Sequence, residues 1–124
     1  MIRVLYVENG VSPFEPVRML LELASDMKVD VAASVEDCCG RKGEADVVVF
    51  GKKGVAQECI ARFASFRSSG DMTPFVMLAD RLDEGTREEA SRLGNSAYIH
   101  LEGDTTKDLL LLIDTIKRLA GECA

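Results

Sequence analysis

The sequence lacks an excess of positive charge, a long apolar run and more than one histidine. Its 124 residues include 21 acidic and 15 basic side chains, with a formal net charge of −6. This balance argues against a nucleic-acid partner, which would need a basic face. No apolar run approaches the roughly 18 residues of a membrane span, and the strand pattern that starts at Ile2 predicts no signal peptide. We therefore expect a cytoplasmic, soluble domain over residues 1–124, with no membrane partner.

The four cysteines do not show the spacing of a redox or zinc motif. They stand at Cys38, Cys39, Cys59 and Cys123, and the single histidine, His100, has no ligand-like neighbour in the sequence. We expect no metal and no cofactor. In a reducing compartment all four thiols should be free, although the adjacent Cys38 and Cys39 leave a strained vicinal disulfide as an alternative.

Five short apolar segments alternate with helical patterns along the whole chain. These segments are Ile2–Val7, Val29–Ser34, Asp46–Phe50, Pro74–Leu78 and Ala97–His100. Nearly continuous apolar strands that are separated by helices form parallel sheets with both faces covered. The sequence thus predicts an α/β, flavodoxin-like (βα)5 domain, with strand order 2-1-3-4-5 and helices on both faces.

The first helix is predicted over Phe14–Asp26. Its apolar residues recur at the spacing of one helix face, which should be buried against the sheet. The residues on that face are Val17, Leu20, Leu21 and Ala24.

The last two helices differ in how much apolar surface they carry. The fourth, Asp83–Leu93, is almost entirely polar and should pack loosely. The fifth, Thr105–Ala120, has more leucine than one buried stripe requires, which leaves Leu110 and Leu111 on its flanks. These two leucines are either a docking surface or ordinary scattered surface residues.

Several segments resemble the CheY-like receiver domain of two-component response regulators, and the resemblance covers essentially the whole chain. Val4–Asn9 is similar to the first receiver strand and the acidic pair that follows it. Ser69–Leu78 resembles the approach to the fourth strand. Gly94–Ile99 resembles the turn into the fifth strand, including its aromatic residue, Tyr98. The resemblance implies the CheY-like version of the predicted fold.

The resemblance also identifies a phosphorylation pocket whose chemistry is missing. Receivers hold Mg²⁺ with two adjacent acids and carry a phosphoacceptor aspartate, a hydroxyl residue and a lysine. The matching positions in this chain are Glu8, Asn9, Gly51, Ala79 and Leu101. With glycine at residue 51 there is no oxygen nucleophile to phosphorylate.

The charge expected around this pocket is also reversed. Three carboxylates and one lysine sum to about −2, which attracts Mg²⁺. Here the matching positions supply only Glu8, and Lys52 and Lys53 directly follow Gly51, so the local sum is about +1 and a divalent cation is repelled. The sequence therefore predicts a degenerate pocket that cannot support phosphoryl transfer.

Other interpretations of these residues remain open. Lys52 and Lys53 could bind an anion, although solvated loop lysines are more common. Asp80, next to Ala79, could replace a lost acid, but successive residues leaving a strand point in different directions. His100 could accept a phosphoryl group, yet a surface histidine at a strand end is the simpler interpretation.

We therefore expect a receiver-like domain in two-component or phosphorelay signalling, and not an enzyme. It would act as a phosphorylation-independent interaction or dimerisation module, through a face containing Tyr98, Leu110 and Leu111. Its partner would be a sensor kinase, a regulator or a second copy in a weak homodimer. One alternative is a conventional response regulator with another phosphoacceptor. A second is a flavodoxin-like enzyme or small-ligand binder, although Glu8–Ser12 carries only one glycine where a phosphate cradle would need several.

Overall fold

The protein is built around five parallel strands. A computed structural model describes residues 2–7, 15–24, 27–51, 56–79 and 81–121, and only the backbone of residues 15–17, 24, 42 and 56. The strands are β1 (Arg3–Val7), β2 (Lys28–Ala32), β3 (Val47–Phe50), β4 (Phe75–Ala79) and β5 (Ser96–His100). They form one sheet in the order β2-β1-β3-β4-β5, which confirms the predicted topology.

The connections between the strands are helical. The helices are α1 (Glu15–Ala24), α2 (Val35–Arg41), α3 (Ala56–Ser68), α4 (Glu84–Arg92) and α5 (Thr105–Leu119), with a short 3₁₀ turn (Lys42–Glu44) after α2. Asp83 and Asp104 cap α4 and α5, because each carboxylate accepts a backbone N–H from the first turn. No helix in the described part of the chain is long and apolar enough to cross a bilayer.

Strand β2 ends earlier than the sequence predicts, at Ala32 instead of Ser34. The reason is that Ser34 starts the next helix. Its hydroxyl oxygen accepts the backbone N–H of Asp37 at 3.0 Å, and its carbonyl oxygen accepts that of Cys38 at 3.0 Å. A serine in this position is a preferred helix cap and takes the chain out of the strand.

The sheet separates two apolar clusters, so helices cover both of its faces as predicted. On one face, Tyr6 of β1 packs with Leu21 of α1 and Leu112 of α5. On the other, Phe50 and Phe75 pack with Phe63 of α3, with ring centroids 4.4–6.3 Å apart. Edge-to-face ring contacts add to the apolar burial on this face.

The predicted inward face of α1 is wrong at Leu20. Leu21 is fully buried, but Leu20 is 36% exposed, and so are Met19 (49%) and Leu23 (80%). The helix is turned so that Leu21 points straight into the cluster of its face. The side chains of Val17 and Ala24, also predicted to be buried, lie outside the described residues.

Arg67 joins the loops at the end of the sheet where β4 and β5 begin. Its guanidinium donates four hydrogen bonds to backbone carbonyl oxygens at 2.8–3.1 Å. The acceptors belong to Asp71, Thr73, Leu93 and Gly94. The guanidinium also lies 5.6 Å from the ring centroids of Phe63 and Phe75. Burial lowers the pKa of Arg67, and the Asp71 carboxylate partly offsets this shift. The arginine therefore ties the α3–β4 loop to the α4–β5 loop.

The outer edge of β2 is partly covered. Lys28 donates its N–H to Ile2 of β1, so the backbone groups of Val31, three residues later, point away from the sheet. Arg41 of α2 donates to the carbonyl oxygen of Val31 at 3.0 Å. Its guanidinium is held there by Asp37 at 3.5 Å and by Glu44 at 3.7 Å.

Candidate functional site

Three of the five predicted pocket residues lie at the end of the sheet where the strands terminate. Gly51 directly follows β3, Ala79 ends β4, and Leu101 directly follows β5. The carboxyl ends of adjacent parallel strands lie side by side here, and ligands of such folds usually bind at this end of the sheet. The N–H of Leu101 donates to the carbonyl of Ala79 at 2.9 Å, and that of Gly51 donates to the carbonyl of Val7 at 3.1 Å. The remaining candidates of this region lie outside the described residues; these are Glu8, Asn9, Lys52, Lys53 and Asp80.

Tyr6 fills the space that a side chain at residue 51 would use. A Cβ built on Gly51 would lie 2.5 Å from the hydroxyl oxygen of Tyr6 and 2.6 Å from its Cζ, whereas real Cβ contacts are essentially never below 3.0 Å. Tyr6 has no exposed surface. Tyr6 lies opposite Val49 in the β1–β3 register. Val49 is two residues before Gly51, so Tyr6 and residue 51 lie on the same face of the sheet. The absence of a carboxylate at residue 51 is thus matched by a ring in its place.

Ala79 and Leu101, the other two pocket positions at this end of the sheet, also carry apolar groups. Ala79 presents a half-buried methyl group, with no hydroxyl to donate. Leu101 packs against the apolar cluster that contains Tyr6. At this predicted pocket position the chain therefore extends its hydrophobic core.

The first lysine after Leu101 in the sequence is held in an ion pair. Lys107, in the first turn of α5, donates to the Glu102 carboxylate at 3.0 Å, and both side chains are exposed. This hydrogen bond lowers the pKa of Glu102 and raises the pKa of Lys107. The ammonium group is therefore held over the β5–α5 loop.

The same loop is anchored by a buried acid. Asp108 is 5% exposed, and its two carboxylate oxygens accept the N–H groups of Glu102 and Gly103, each at 3.2 Å. A carboxylate that accepts backbone hydrogen bonds in this way is strongly held. The chain just after Leu101 is consequently fixed in position.

Tyr98 is fixed against the β4–α4 loop. Its ring is half-buried beside the cluster that contains Phe50. Its hydroxyl donates to the carbonyl of Arg81 at 2.9 Å and accepts the N–H of Asp83 at 3.1 Å. Since Ala79 offers no hydroxyl, the loop backbone supplies the partners of the Tyr98 hydroxyl.

A shallow groove lies between Tyr98 and α4, and a second one lies along α4 itself. The inner groove, of about 190 Å³, is lined by Arg87, Ser91, Ser96, Ala97 and Tyr98. The outer groove, of about 300 Å³, is lined by Glu84, Arg87, Glu88, Ser91 and Arg92. On α5, Leu110 is 62% exposed and Leu111 is 45% exposed. Leu110 and Leu111, which were predicted to belong to an interaction face, are thus exposed.

The cysteines show no sign of a reactive or metal-binding centre in the described part of the chain. Cys38, Cys39 and Cys59 are in no disulfide, whereas Cys123 lies outside the described residues. Burial, and the proximity of Cys38 and Cys39, raise the pKa of Cys59 far above its usual range. A buried, protonated thiol is a poor nucleophile. No three His, Cys, Asp or Glu side chains of the described residues are grouped so that they could hold a metal ion.

Two residues that shape this edge were not identified from the sequence. Tyr6 gave no signal of its contact with Gly51, because that contact depends on the register between β1 and β3. Asp108 gave none either, since an acidic side chain is usually exposed. Its burial depends on the path of the β5–α5 loop.

No protein-family model matches the chain, and no curated protein matches it. Three of the solved structures with the same architecture are bacterial regulators or CheY-like proteins. Chemotaxis response regulator CheY4 of Vibrio cholerae matches with a TM-score of 0.69 and 19% identity, covering 94% of this chain and 98% of that chain. The CheY-like protein tadZ of Pseudomonas aeruginosa matches with a TM-score of 0.64 and 24% identity, covering 98% and 95%. The phosphorylated cyanobacterial phytochrome response regulator RcpA matches with a TM-score of 0.69 and 15% identity, covering 99% and 96%. The chain therefore has the fold of CheY-like response-regulator receiver domains.

Proposed function

We propose that this protein is a receiver-like signalling module that binds a protein partner without being phosphorylated. The observation that carries this proposal is the contact between Tyr6 and Gly51. A phosphoacceptor needs a carboxylate at residue 51, and Tyr6 occupies the space where that carboxylate would begin. The apolar groups at Ala79 and Leu101 support the same conclusion, because neither can contact phosphoryl oxygens.

The proposal predicts that phosphate analogues leave the protein unchanged. The chain is mixed with Mg²⁺ and beryllofluoride or acetyl phosphate, and its amide NMR spectrum is recorded before and after. A response regulator with an intact aspartate serves as the positive control. We expect no shifts beyond those caused by salt. Shifts that cluster at Gly51, Ala79 and Leu101 would contradict the proposal.

The partner would bind at the face formed by α4, β5 and α5, which contains Tyr98, Leu110 and Leu111. Candidate partners are a sensor kinase, a regulator or a second copy of the chain. Both leucines are exposed, and burying them at an interface would contribute roughly 3–5 kcal/mol of transfer free energy. The entropic cost of association offsets much of this gain, so the complex should be weak.

The double variant Leu110→Lys, Leu111→Glu tests this face. We expect it to lose self-association in analytical ultracentrifugation, or partner capture in a pull-down, and to keep its thermal midpoint within a few degrees. The matched control is Leu23→Lys, because Leu23 is exposed on α1, outside this face. If the double variant associates as the wild type does, the interaction surface lies elsewhere.

A further inference from the structure

Strand β5 presents a row of unpaired backbone groups at the edge of the sheet. It pairs only with β4 among the described strands. The carbonyl of Asn95 and the N–H of Leu101 bond to β4, so the odd-numbered residues face the sheet. In a parallel pair, alternate residues direct their backbone groups to opposite sides. The N–H and C=O groups of Ser96, Tyr98 and His100 therefore point outward.

The two edges of the sheet are treated differently. At β2, a guanidinium covers the outward carbonyl of Val31. At β5, no side chain of the described residues donates to or accepts from the outward backbone groups. Proteins usually protect an exposed strand edge, because it can pair with another chain. The β2 edge is partly covered and the β5 edge is not, which makes the β5 edge the better candidate for strand addition.

The inner groove runs along this open edge. One wall is formed by three successive residues of the strand, Ser96 to Tyr98, and the other by Arg87 and Ser91, one turn apart on α4. A groove between a strand edge and a helix is the arrangement in which extended peptides bind by adding a strand. Among the described residues that line this groove, only Arg87 is charged.

We propose that this groove binds an extended segment of a partner protein, which pairs with β5 as a sixth strand and places an acidic side chain against Arg87. The inference rests on the proposed function and names the kind of partner segment that the module takes. Backbone hydrogen bonds to Ser96, Tyr98 and His100 would give affinity. The carboxylate at Arg87 would give selectivity, since its present partner, Glu84, is 3.7 Å away and exposed.

Two other occupants fit the groove less well. A partner helix has already used its backbone groups internally and cannot pair with the strand edge. A second copy of this chain could place its own β5 there, but β5 contains no acidic residue. Such a symmetric pair would leave Arg87 without a carboxylate from the incoming strand. An acidic extended segment of another protein satisfies both the edge and the arginine.

The test uses a phage-displayed library of short random peptides, selected on the full chain. We expect enriched peptides that share an acidic position within a run of strand-forming residues. On binding, the amide protons of Ser96, Tyr98 and His100 should become protected from hydrogen exchange. N-methylation of the peptide at alternate residues should abolish binding in one register and leave it intact in the other, as strand pairing requires.

Two pairs of variants locate the site. Arg87→Glu should weaken peptide binding by about tenfold or more, whereas Arg92→Glu, outside the inner groove, should change it little. Ser91→Trp should block the groove, whereas Glu89→Trp, on the same helix but not in the lining, should not. All four positions are exposed, so a circular dichroism melt should show wild-type stability in every variant.

The alternatives give different results. Failure to enrich any peptide, protection that falls elsewhere, or insensitivity to N-methylation would overturn the strand-addition proposal. Protection of the β5 edge that depends only on protein concentration would assign the edge to a second copy instead. None of these results affects the proposed absence of phosphorylation, which the beryllofluoride experiment tests separately.

Discussion

The ring of Tyr6 occupies the volume that the Cβ of any side chain at Gly51 would need, so glycine is the residue that fits this sheet edge. Gly51→Ala should therefore destabilise the protein by about 1–3 kcal/mol, as overpacking of a rigid core does. Gly40→Ala is the matched control, because a Cβ there meets nothing within 4 Å. Because Gly40 lies inside α2, its replacement by alanine should raise the free energy of unfolding by about 0.5–1 kcal/mol. Urea unfolding measures both, and equal stability of Gly51→Ala and wild type would show that Tyr6 yields easily.

Gly51→Asp should be less stable than Gly51→Ala, because it adds a carboxylate to the same crowded, buried position. Replacing Tyr6 with valine in the same chain should restore part of the loss. Neither variant should form an acyl phosphate, since Asn9, Ala79 and Leu101 still lack the groups that bind metal and phosphoryl oxygens. Intact-mass measurement after incubation with acetyl phosphate and Mg²⁺ tests this. A mass gain of one phosphoryl group on the single variant would show that the missing groups are dispensable.

Arg67→Lys should destabilise the fold although it keeps the charge. A lysine ammonium cannot reproduce the planar fork that reaches four carbonyl oxygens and stacks on two rings. Leaving some of these carbonyls without a donor should cost about 2–3 kcal/mol. Arg62→Lys, at an exposed position of the same helix, should be neutral within experimental error. Thermal melts of the pair decide the matter, and similar midpoints would mean that water replaces the guanidinium.

The contact between Arg3 and Asp46 should give a stability that depends on acid pH. The Arg3 N–H donates to the Asp46 carboxylate at 2.8 Å, and this bond, partly opposed by desolvation, lowers the pKa of Asp46 from its ordinary value of 3.8. Because the folded-state pKa lies below the unfolded-state value, the contribution is complete above the unfolded-state pKa and is lost as pH falls through the folded-state pKa.

Asp46→Asn should thus be less stable than wild type at neutral pH, and the difference should shrink below about pH 4. The asparagine keeps the backbone bond from residue 46 to the Arg3 carbonyl, so the difference reports the carboxylate alone. Urea unfolding at several pH values measures it. A difference that stays constant or grows in acid would contradict the assignment.

The topology could be predicted because each strand is a short apolar run and each connection carries a helical repeat. The buried face of α5 could also be predicted, since Leu109, Leu112 and Ile116 recur at helical spacing and are all buried. Leu20 was misjudged because α1 has leucines or methionine on almost every side. In such a helix the pattern alone does not define the rotation, which the packing of Leu21 decides.

The sequence predicted which functional groups the candidate site lacks, but it did not predict which side chains make contacts there. The positions of Gly51, Ala79 and Leu101 follow from the strand ends, which the sequence marks clearly. The contact of Tyr6 with Gly51 depends on the register between β1 and β3, and the burial of Asp108 depends on a loop path. Long-range pairings of this kind leave no periodic signal in a single sequence.

The Arg41 contact on Val31 limits what strand addition at the other edge can build. A sheet that is open at both sides can recruit chain after chain, which is the route to fibres. To pair with Val31 of β2, a second molecule would first have to displace a guanidinium that is held by two carboxylates. Growth at β5 would then stop after one added strand or one paired copy. The protein could thus expose the unpaired backbone groups of β5 to a partner and still form only a small, closed assembly.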